Sequence, residues 1–240
     1  MIKNQPIRSY NKHLFLIAAL GILSHILFID RTPLALAGYL QDDSYVYFEI
    51  AKNIASGQGP VVNPNIPTNG YHPLYVVVIT PIYLLVNSSD LITPIYLIQI
   101  LHLFLYISTA ILIYNIVKNF SSDLVGLVVS IVWLLNPRVK LIYLSGMETP
   151  LQIFLISLLT CYLIRNFNSH EYLNIRQSIT IGVLLGLIFL ARMDGAFISI
   201  GVAIMILFEK TYSGDNNIQL PTNINNYYDN SKIFKIIASI

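Results

Sequence analysis

The chain has 240 residues, of which 55% are hydrophobic and 11% charged, against about 25% charged in ordinary soluble domains. A mean hydropathy of +0.65 excludes a soluble globular domain and leaves an integral membrane protein as the class. The net charge of +2 is too small to suggest nucleic acid, and the sole cysteine, Cys161 inside an apolar run, leaves no disulfide or cysteine-rich metal site within the chain.

The first apolar run, Leu14 to Ile29, is long for the core of a cleavable signal, and no small-residue cleavage motif follows it. It reads as a span. The passage from Gln41 to Leu74 then breaks the membrane-like pattern with polar and aromatic residues. Tyr47, Ile50, Ala51 and Ile54 recur at helical spacing, so a short helix with one apolar face is expected. Asp42 or Asp43 can cap it, and Gly57 is a natural stop. Beyond it, Gly59, Pro60, Asn63, Pro64, Pro67, Asn69 and Gly70 predict an ordered loop that turns repeatedly.

Further apolar runs fall at 74–86, 95–117, 124–136 (continuing towards Tyr143), 150–164, 179–191 and 195–208, and another begins near Ile233. A span needs about 20 residues, so the short 74–86 run, which contains Pro81, is expected to dip into the membrane without crossing. Charge placement favours the same arrangement. With the N-terminus inside and 74–86 not crossing, nine Lys and Arg residues lie inside and five outside; if 74–86 crosses, the split is six and eight. The expected organisation of residues 1–240 is therefore the N-terminal part of a polytopic membrane domain. It has a first external loop at 30–94 carrying juxtamembrane or re-entrant helices, and a flexible cytoplasmic loop at 212–232.

Five groups of residues suggest chemistry, and each has a plainer reading. Asp42 and Asp43 are a helix cap, or an external general base or metal ligand. Tyr71 and His72 precede Pro73, a residue suited to a first helical turn; they are interfacial residues, or donors to a phosphate or sugar hydroxyl. Glu148 opens the 150–164 helix as a cap, or orients a substrate. Arg192 and Asp194 form an interfacial salt bridge, or line a cavity, since ionisable groups at membrane depth usually face protein. Arg138 and Lys140, outside despite the charge rule, are candidates for holding an anionic group, with lipid headgroups as the alternative. Gln99 and His102 are expected to face other helices. The sequons at Asn87 and Asn119 are short enough to arise by chance.

The order of the motifs is more specific than any one of them. DDSYVYFEIAKNIASGQG follows the first span, NPNIPTNGYHPL leads into the dipping helix, and SGMETPL and LARMDGAF follow at long intervals. This pattern, over about residues 10–210, resembles the GT-C superfamily of membrane glycosyltransferases, in the bacterial branch related to protein O-mannosyltransferases and aminoarabinose transferases. The resemblance implies an all-α, multi-span bundle at the cell (plasma or inner) membrane, with its active site on the extracytoplasmic side, acting on a cell-envelope glycan or another acceptor. It implies a polyprenyl-phosphate-linked sugar as donor, an acceptor glycan, lipid or protein, and no nucleic acid as partner. Asp43 is then the first choice for the catalytic acid of the external loop and Asp42 the second. His72 and Pro73 match a histidine-proline pair of the mannosyltransferase relatives, although Leu74 stands where they carry a second proline. Tyr71, Glu148, Arg192, Asp194, Arg138 and Lys140 are the remaining substrate-binding candidates. A divalent metal (Mg or Mn) is used by some relatives and not by others. The alternative to a transferase is a non-catalytic membrane protein, either a polysaccharide or lipid transporter or a structural subunit of a glycosylation complex.

Overall fold

The computed structural model describes residues 7–28, 32–63, 66–86, 90–166 and 173–214. Arg31, the Asn87 sequon and the part of the 212–232 loop beyond Gly214 lie outside the described residues. The chain is mostly helical, as its composition requires. In order, the elements are α1 (Ile7–Phe28), α2 (Pro33–Tyr39), α3 (Asp42–Ala55), β1 (Val61–Asn63), β2 (Ile66–Pro67), α4 (Pro73–Leu85), α5 (Thr93–Phe120), α6 (Asp123–Leu135), α7 (Pro137–Leu144), α8 (Thr149–Asn166), α9 (Ile175–Ala191) and α10 (Gly195–Gly214).

By length and apolarity, α5 and the Tyr10–Leu27 stretch of α1 can each cross a membrane, and the bent pair α6–α7 makes a third if it counts as one span. The runs expected at 150–164, 179–191 and 195–208 are helices, but none is by itself long and apolar enough to be one of these. α4 has 13 residues, about 20 Å at 1.5 Å per residue, which is short of a hydrocarbon core of about 30 Å.

α5 is the axis of the bundle, and α1, α4, α6, α7 and α8 all pack against it. Its buried positions Ile98, His102, Leu105, Thr109 and Ala110 recur at the helical period and form the contact face. That face also carries hydrogen-bonding groups, and their purpose is local. Pro137 lacks a backbone N–H, so the helix expected to run from 124 towards Tyr143 breaks there and bends by 60°. Asn136 caps the new helix by accepting from the Arg138 and Val139 amides. The break and the end of α7 leave carbonyls without helical partners, and α5 supplies donors to them. The Tyr106 hydroxyl donates to the Leu134 carbonyl, Gln99 Nε2 donates to the Leu144 carbonyl at 2.8 Å, and His102 Nδ1 meets the Tyr143 carbonyl at 2.9 Å. Gln99 and His102 therefore face other helices, as expected.

α3 starts earlier than the sequence suggests. Its N-cap is Gln41, whose side chain makes no capping bond, and Asp42 and Asp43 occupy the first turn instead of capping it. The reason is a backbone tie: the Gln41 amide donates to the Ser145 carbonyl at 3.0 Å, fixing where the helix begins. Within the predicted loop, β1 and β2 form a two-stranded antiparallel hairpin, a departure from an all-α chain. It is anchored by Asn53 Nδ2, which donates to the Val61 carbonyl at 2.8 Å. α3 packs on α4, and α4 on α9.

The turn between α7 and α8 depends on Gly146. Its φ is +74°, and a Cβ there would meet Leu40 Cδ2 at 2.7 Å, Phe48 Cζ at 2.9 Å and Ser44 Cβ at 2.9 Å. Gly146→Ala should therefore destabilise the protein by about 2–4 kcal/mol, combining a left-handed backbone with an overpacked site. Gly182, inside α9 with open space for 4 Å around the place a Cβ would take, is the control; Gly182→Ala should be neutral or stabilising by up to about 1 kcal/mol. Thermal unfolding in detergent distinguishes them, and equal midpoints for both variants would contradict this role for the turn.

Candidate functional site

Three stretches that are distant in sequence meet at the start of α8. The Glu148 carbonyl accepts from the Leu151 and Gln152 amides, so Glu148 sits at the N-terminus of α8. Its side chain does not cap the helix. It is 1% exposed, and Oε1 accepts from Arg192 Nη1 at 2.7 Å. His72, the residue before α4, brings Nε2 to 3.7 Å from the same oxygen. Arg192 Nη1 also donates to Thr149 Oγ1 at 3.2 Å, while Nε and Nη2 reach the Asp194 carboxylate at 3.2–3.3 Å. Gln152 Nε2 closes the arrangement with a 2.8 Å bond to Asp194 Oδ1.

Each element owes its position to local sequence. Arg192 ends α9 in an extended conformation, and the chain reverses at once into α10. Gly195 permits this, because a Cβ there would lie 2.7 Å from the Ile188 carbonyl oxygen. Gln152 is four residues after Glu148, one helical turn along α8, so both face the Arg192–Asp194 turn. Tyr75, fully buried on α4, donates its hydroxyl to the Gly146 carbonyl at 2.7 Å and lies 3.2 Å from His102 Nε2. That bond fixes the Gly146–Glu148 turn against α4 and α5. Tyr47 of α3 stacks on His72, with ring centroids 6.3 Å apart and planes 20° apart, and meets Tyr75 edge-on at 5.4 Å.

The electrostatics follow from burial and pairing. For Asp194, burial alone would raise the carboxyl pKa, but the hydrogen bonds from Arg192 and Gln152 and the guanidinium charge outweigh it and hold it low. Burial works against the Arg192 charge, and the Asp194 bond together with the Glu148 and Asp194 charges more than restores it. Burial, and then the Glu148 carboxylate, push the Tyr47 phenol well above its ordinary value, so it stays protonated as a hydrogen-bond donor. Two buried atoms of this cluster have no hydrogen-bond partner among the described residues: Glu148 Oε2 and His72 Nδ1.

The structure thus brings together His72, Glu148, Arg192 and Asp194. It leaves Arg138 and Lys140 apart from them. Arg138 is exposed on the first turn of α7, and the Lys140 ammonium reaches the Ser24 carbonyl of α1 at 3.4 Å. Tyr71 is half-buried and packs against the core. Asp42 and Asp43 are exposed at the start of α3. Asp43 is four residues before Tyr47, so it tops the helix face that carries Tyr47 to His72. Sequence reasoning missed Tyr47, Thr149, Gln152 and Tyr75 as parts of the site; the i, i+4 spacings of Asp43–Tyr47 and Glu148–Gln152 were the available signals.

Among the described residues no group of three or more His, Cys, Asp or Glu side chains is gathered to hold a metal ion. Glu148 and Asp194 are bridged by the Arg192 guanidinium, which occupies the place between them that a divalent cation would need. The cluster therefore does not fit a Mg or Mn site. No family model, no curated protein and no solved structure matches this chain.

Removing Arg192 should leave a buried carboxylate without its main partner. Arg192→Gln is expected to cost about 3–5 kcal/mol, towards the lower end because Arg192 is 31% exposed. The double variant Arg192→Gln/Glu148→Gln should recover part of that loss, and strictly additive losses in thermal unfolding would contradict the pairing. Because the Asp194 pKa is depressed on folding, its stabilisation is present above the ordinary carboxylate value of about 3.9 and is lost as pH falls through the folded value. The stability gap between the parent and Asp194→Asn should therefore be widest near neutral pH and close below about pH 4; a gap that widens on acidification would contradict it.

Proposed function

We propose that the chain is a membrane glycosyltransferase that moves a sugar from a polyprenyl-phosphate donor to an acceptor hydroxyl at the extracytoplasmic face. The observation that carries this reading is the buried Glu148, paired through Oε1 with Arg192 and 3.7 Å from His72 Nε2, while Oε2 makes no hydrogen bond among the described residues. A buried polar atom left unsatisfied costs about 1–3 kcal/mol, more when charged; the Tyr47 phenol approaches this carboxylate from the protein side, and a donor on a ligand would complete the coordination of Oε2. A sugar hydroxyl meets that need, and His72 Nδ1 supplies a second unpartnered atom beside it.

The remaining roles follow. Asp43 is exposed in the first turn of α3. It takes the proton of the acceptor hydroxyl as that oxygen attacks the anomeric carbon from the face opposite the phosphate. The new carbon–oxygen bond forms as the bond to phosphate breaks, and the lipid phosphate leaves with the electron pair, giving inversion. Arg192 has five N–H donors, and its second Nη2–H has no partner among the described residues, so it can meet a phosphate oxygen. Glu148 and His72 orient the sugar.

The distribution of cations supports the sidedness. Lys118 lies over the Tyr10 ring at 4.0 Å, and Arg165 Nη2 donates to Asn115 Oδ1 at 3.2 Å, both at the far end of the bundle. Along α8 from Thr149 to Arg165 the separation is about 24 Å, close to a hydrocarbon thickness. With the positive-inside rule, this reading puts the Lys118–Arg165 end at the cytoplasm and the Glu148 end, which carries Arg138, Lys140 and Arg192, on the opposite side.

Asp43→Asn should lower sugar transfer by about 10²–10⁴-fold with the amount of protein in the membrane unchanged, whereas Asp42→Asn should retain more activity. Transfer from a radiolabelled polyprenyl-phosphate sugar in isolated membranes measures this. Near-normal transfer by both single variants and by the double variant would remove the base from the mechanism.

A further inference from the structure

A concave site lies along the C-terminal half of α3, lined by none of the residues of the Glu148 cluster. It is a half-open cleft of about 720 Å³ between α3, the hairpin and the end of α4, lined by Glu49, Lys52, Asn53, Gln58, Tyr83 and Asp90 among others. That volume falls within the roughly 300–1,000 Å³ usual for small-molecule sites. On α3 the lining residues Glu49, Lys52, Asn53 and Ser56 are spaced i, i+3, i+4 and i+7, which makes one continuous polar stripe. Asp43 and Tyr47 lie on another side of α3, roughly 150° around the helix from the stripe at 3.6 residues per turn. Asp42, seven residues before Glu49, tops the stripe itself. The acidic pair is therefore split between two faces, Asp42 above the cleft and Asp43 above the Tyr47 side that meets the Glu148 cluster.

We propose that this cleft binds the acceptor, and that the acceptor is an uncharged carbohydrate whose outer sugar rings lie along α3 between the hairpin and α4. This rests on the transferase reading above and names its acceptor class. The lining supplies what a polyol requires. Glu49 and Asp90 are acceptors; Asn53, with its amide nitrogen committed to the Val61 carbonyl, offers its amide oxygen; Gln58 offers both a donor and an acceptor. Tyr83 adds an aromatic face, and burial, then the Glu49 charge, keep its phenol protonated as a donor. Charge argues against a phosphate-bearing occupant. Lys52, the one cation among the described lining residues, is paired with Glu49 at 3.6 Å, and two carboxylates share the cleft. The geometry also suits transfer, because Asp42 tops the stripe about 10 Å along α3 from Glu49, so a sugar seated in the cleft can extend a terminal hydroxyl towards the acidic pair that starts the helix.

The test uses the full chain in lipid nanodiscs, fluorescently labelled and applied to an array of neutral and acidic oligosaccharides. Soluble glycerophosphoethanolamine serves as a competitor that mimics a lipid headgroup. The proposal expects retention on neutral oligosaccharides, weakened about tenfold or more in Glu49→Gln/Gln58→Ala, as expected for losing a hydrogen bond to a charged group. Arg138→Gln, remote from the cleft, should bind as the parent does, and glycerophosphoethanolamine should not compete. Retention on no oligosaccharide, retention indifferent to the double variant, or displacement by glycerophosphoethanolamine would each overturn it. The transfer assay with Asp43→Asn judges the transferase reading separately. Glycan retention combined with transfer that survives Asp43→Asn would sink that reading and leave the cleft standing.

Discussion

The ion pair between Glu148 and Arg192, 2.7 Å long with the carboxylate 1% exposed, is the constraint on which the rest of this end of the molecule depends. An unpaired carboxylate at that depth is costly enough that the fold must deliver a cation to it. The cation comes from 44 residues away, at the reversal between α9 and α10. Placing it there requires the tight turn at Gly195, and placing the carboxylate requires the left-handed turn at Gly146. His72 and Tyr47 then fill the remaining side, which fixes α4 and α3 against the same point. Four helices are located by one charge.

The pair is stable in that position because the bundle behind it is held by hydrogen bonds as well as by apolar contact. Inside a membrane, helices gain little from excluding water from one another, and packing together with interhelical hydrogen bonds takes a larger share. α5 meets that requirement directly, since its Gln99, His102 and Tyr106 side chains satisfy carbonyls of the broken α6–α7 segment. Tyr75 extends the network from His102 to the Gly146 turn. A polar chain therefore runs from the bundle interior to Gly146, two residues before Glu148, and ties that turn to the carbonyls of the α6–α7 segment.

The helices are legible in the sequence because apolar runs separated by Pro, Gly and Asn leave few other options. His72, Glu148, Arg192 and Asp194 are legible too, but one at a time, as ionisable groups near the ends of apolar runs. Their convergence is not, because no local spacing relates residues 44 to 76 positions apart. Arg138 and Lys140 illustrate the same limit. A charge count along the chain says which side of a membrane a residue prefers, but not which helix end lies next to which, and Lys140 faces α1. Tyr47 reads only as part of an apolar face, since its ring follows the apolar period while its hydroxyl does not. The start of α3 departs from expectation because its determinant is a backbone bond to Ser145, which no property of Gln41 announces. The bend between α6 and α7 is visible as Pro137 but outweighed by the apolar run on either side of it.

In the proposed mechanism the free oxygen of Glu148 is where the transferred sugar is held. The most direct measurement is an experimental structure of the chain in lipid with a non-hydrolysable polyprenyl-phosphonate-linked sugar bound. The expected result is a sugar hydroxyl within hydrogen-bond distance of Glu148 Oε2, the phosphonate against Arg192, and the anomeric carbon open towards Asp43. A sugar seated elsewhere, with Glu148 Oε2 still unpartnered and the phosphonate held by Arg138 and Lys140, would contradict it.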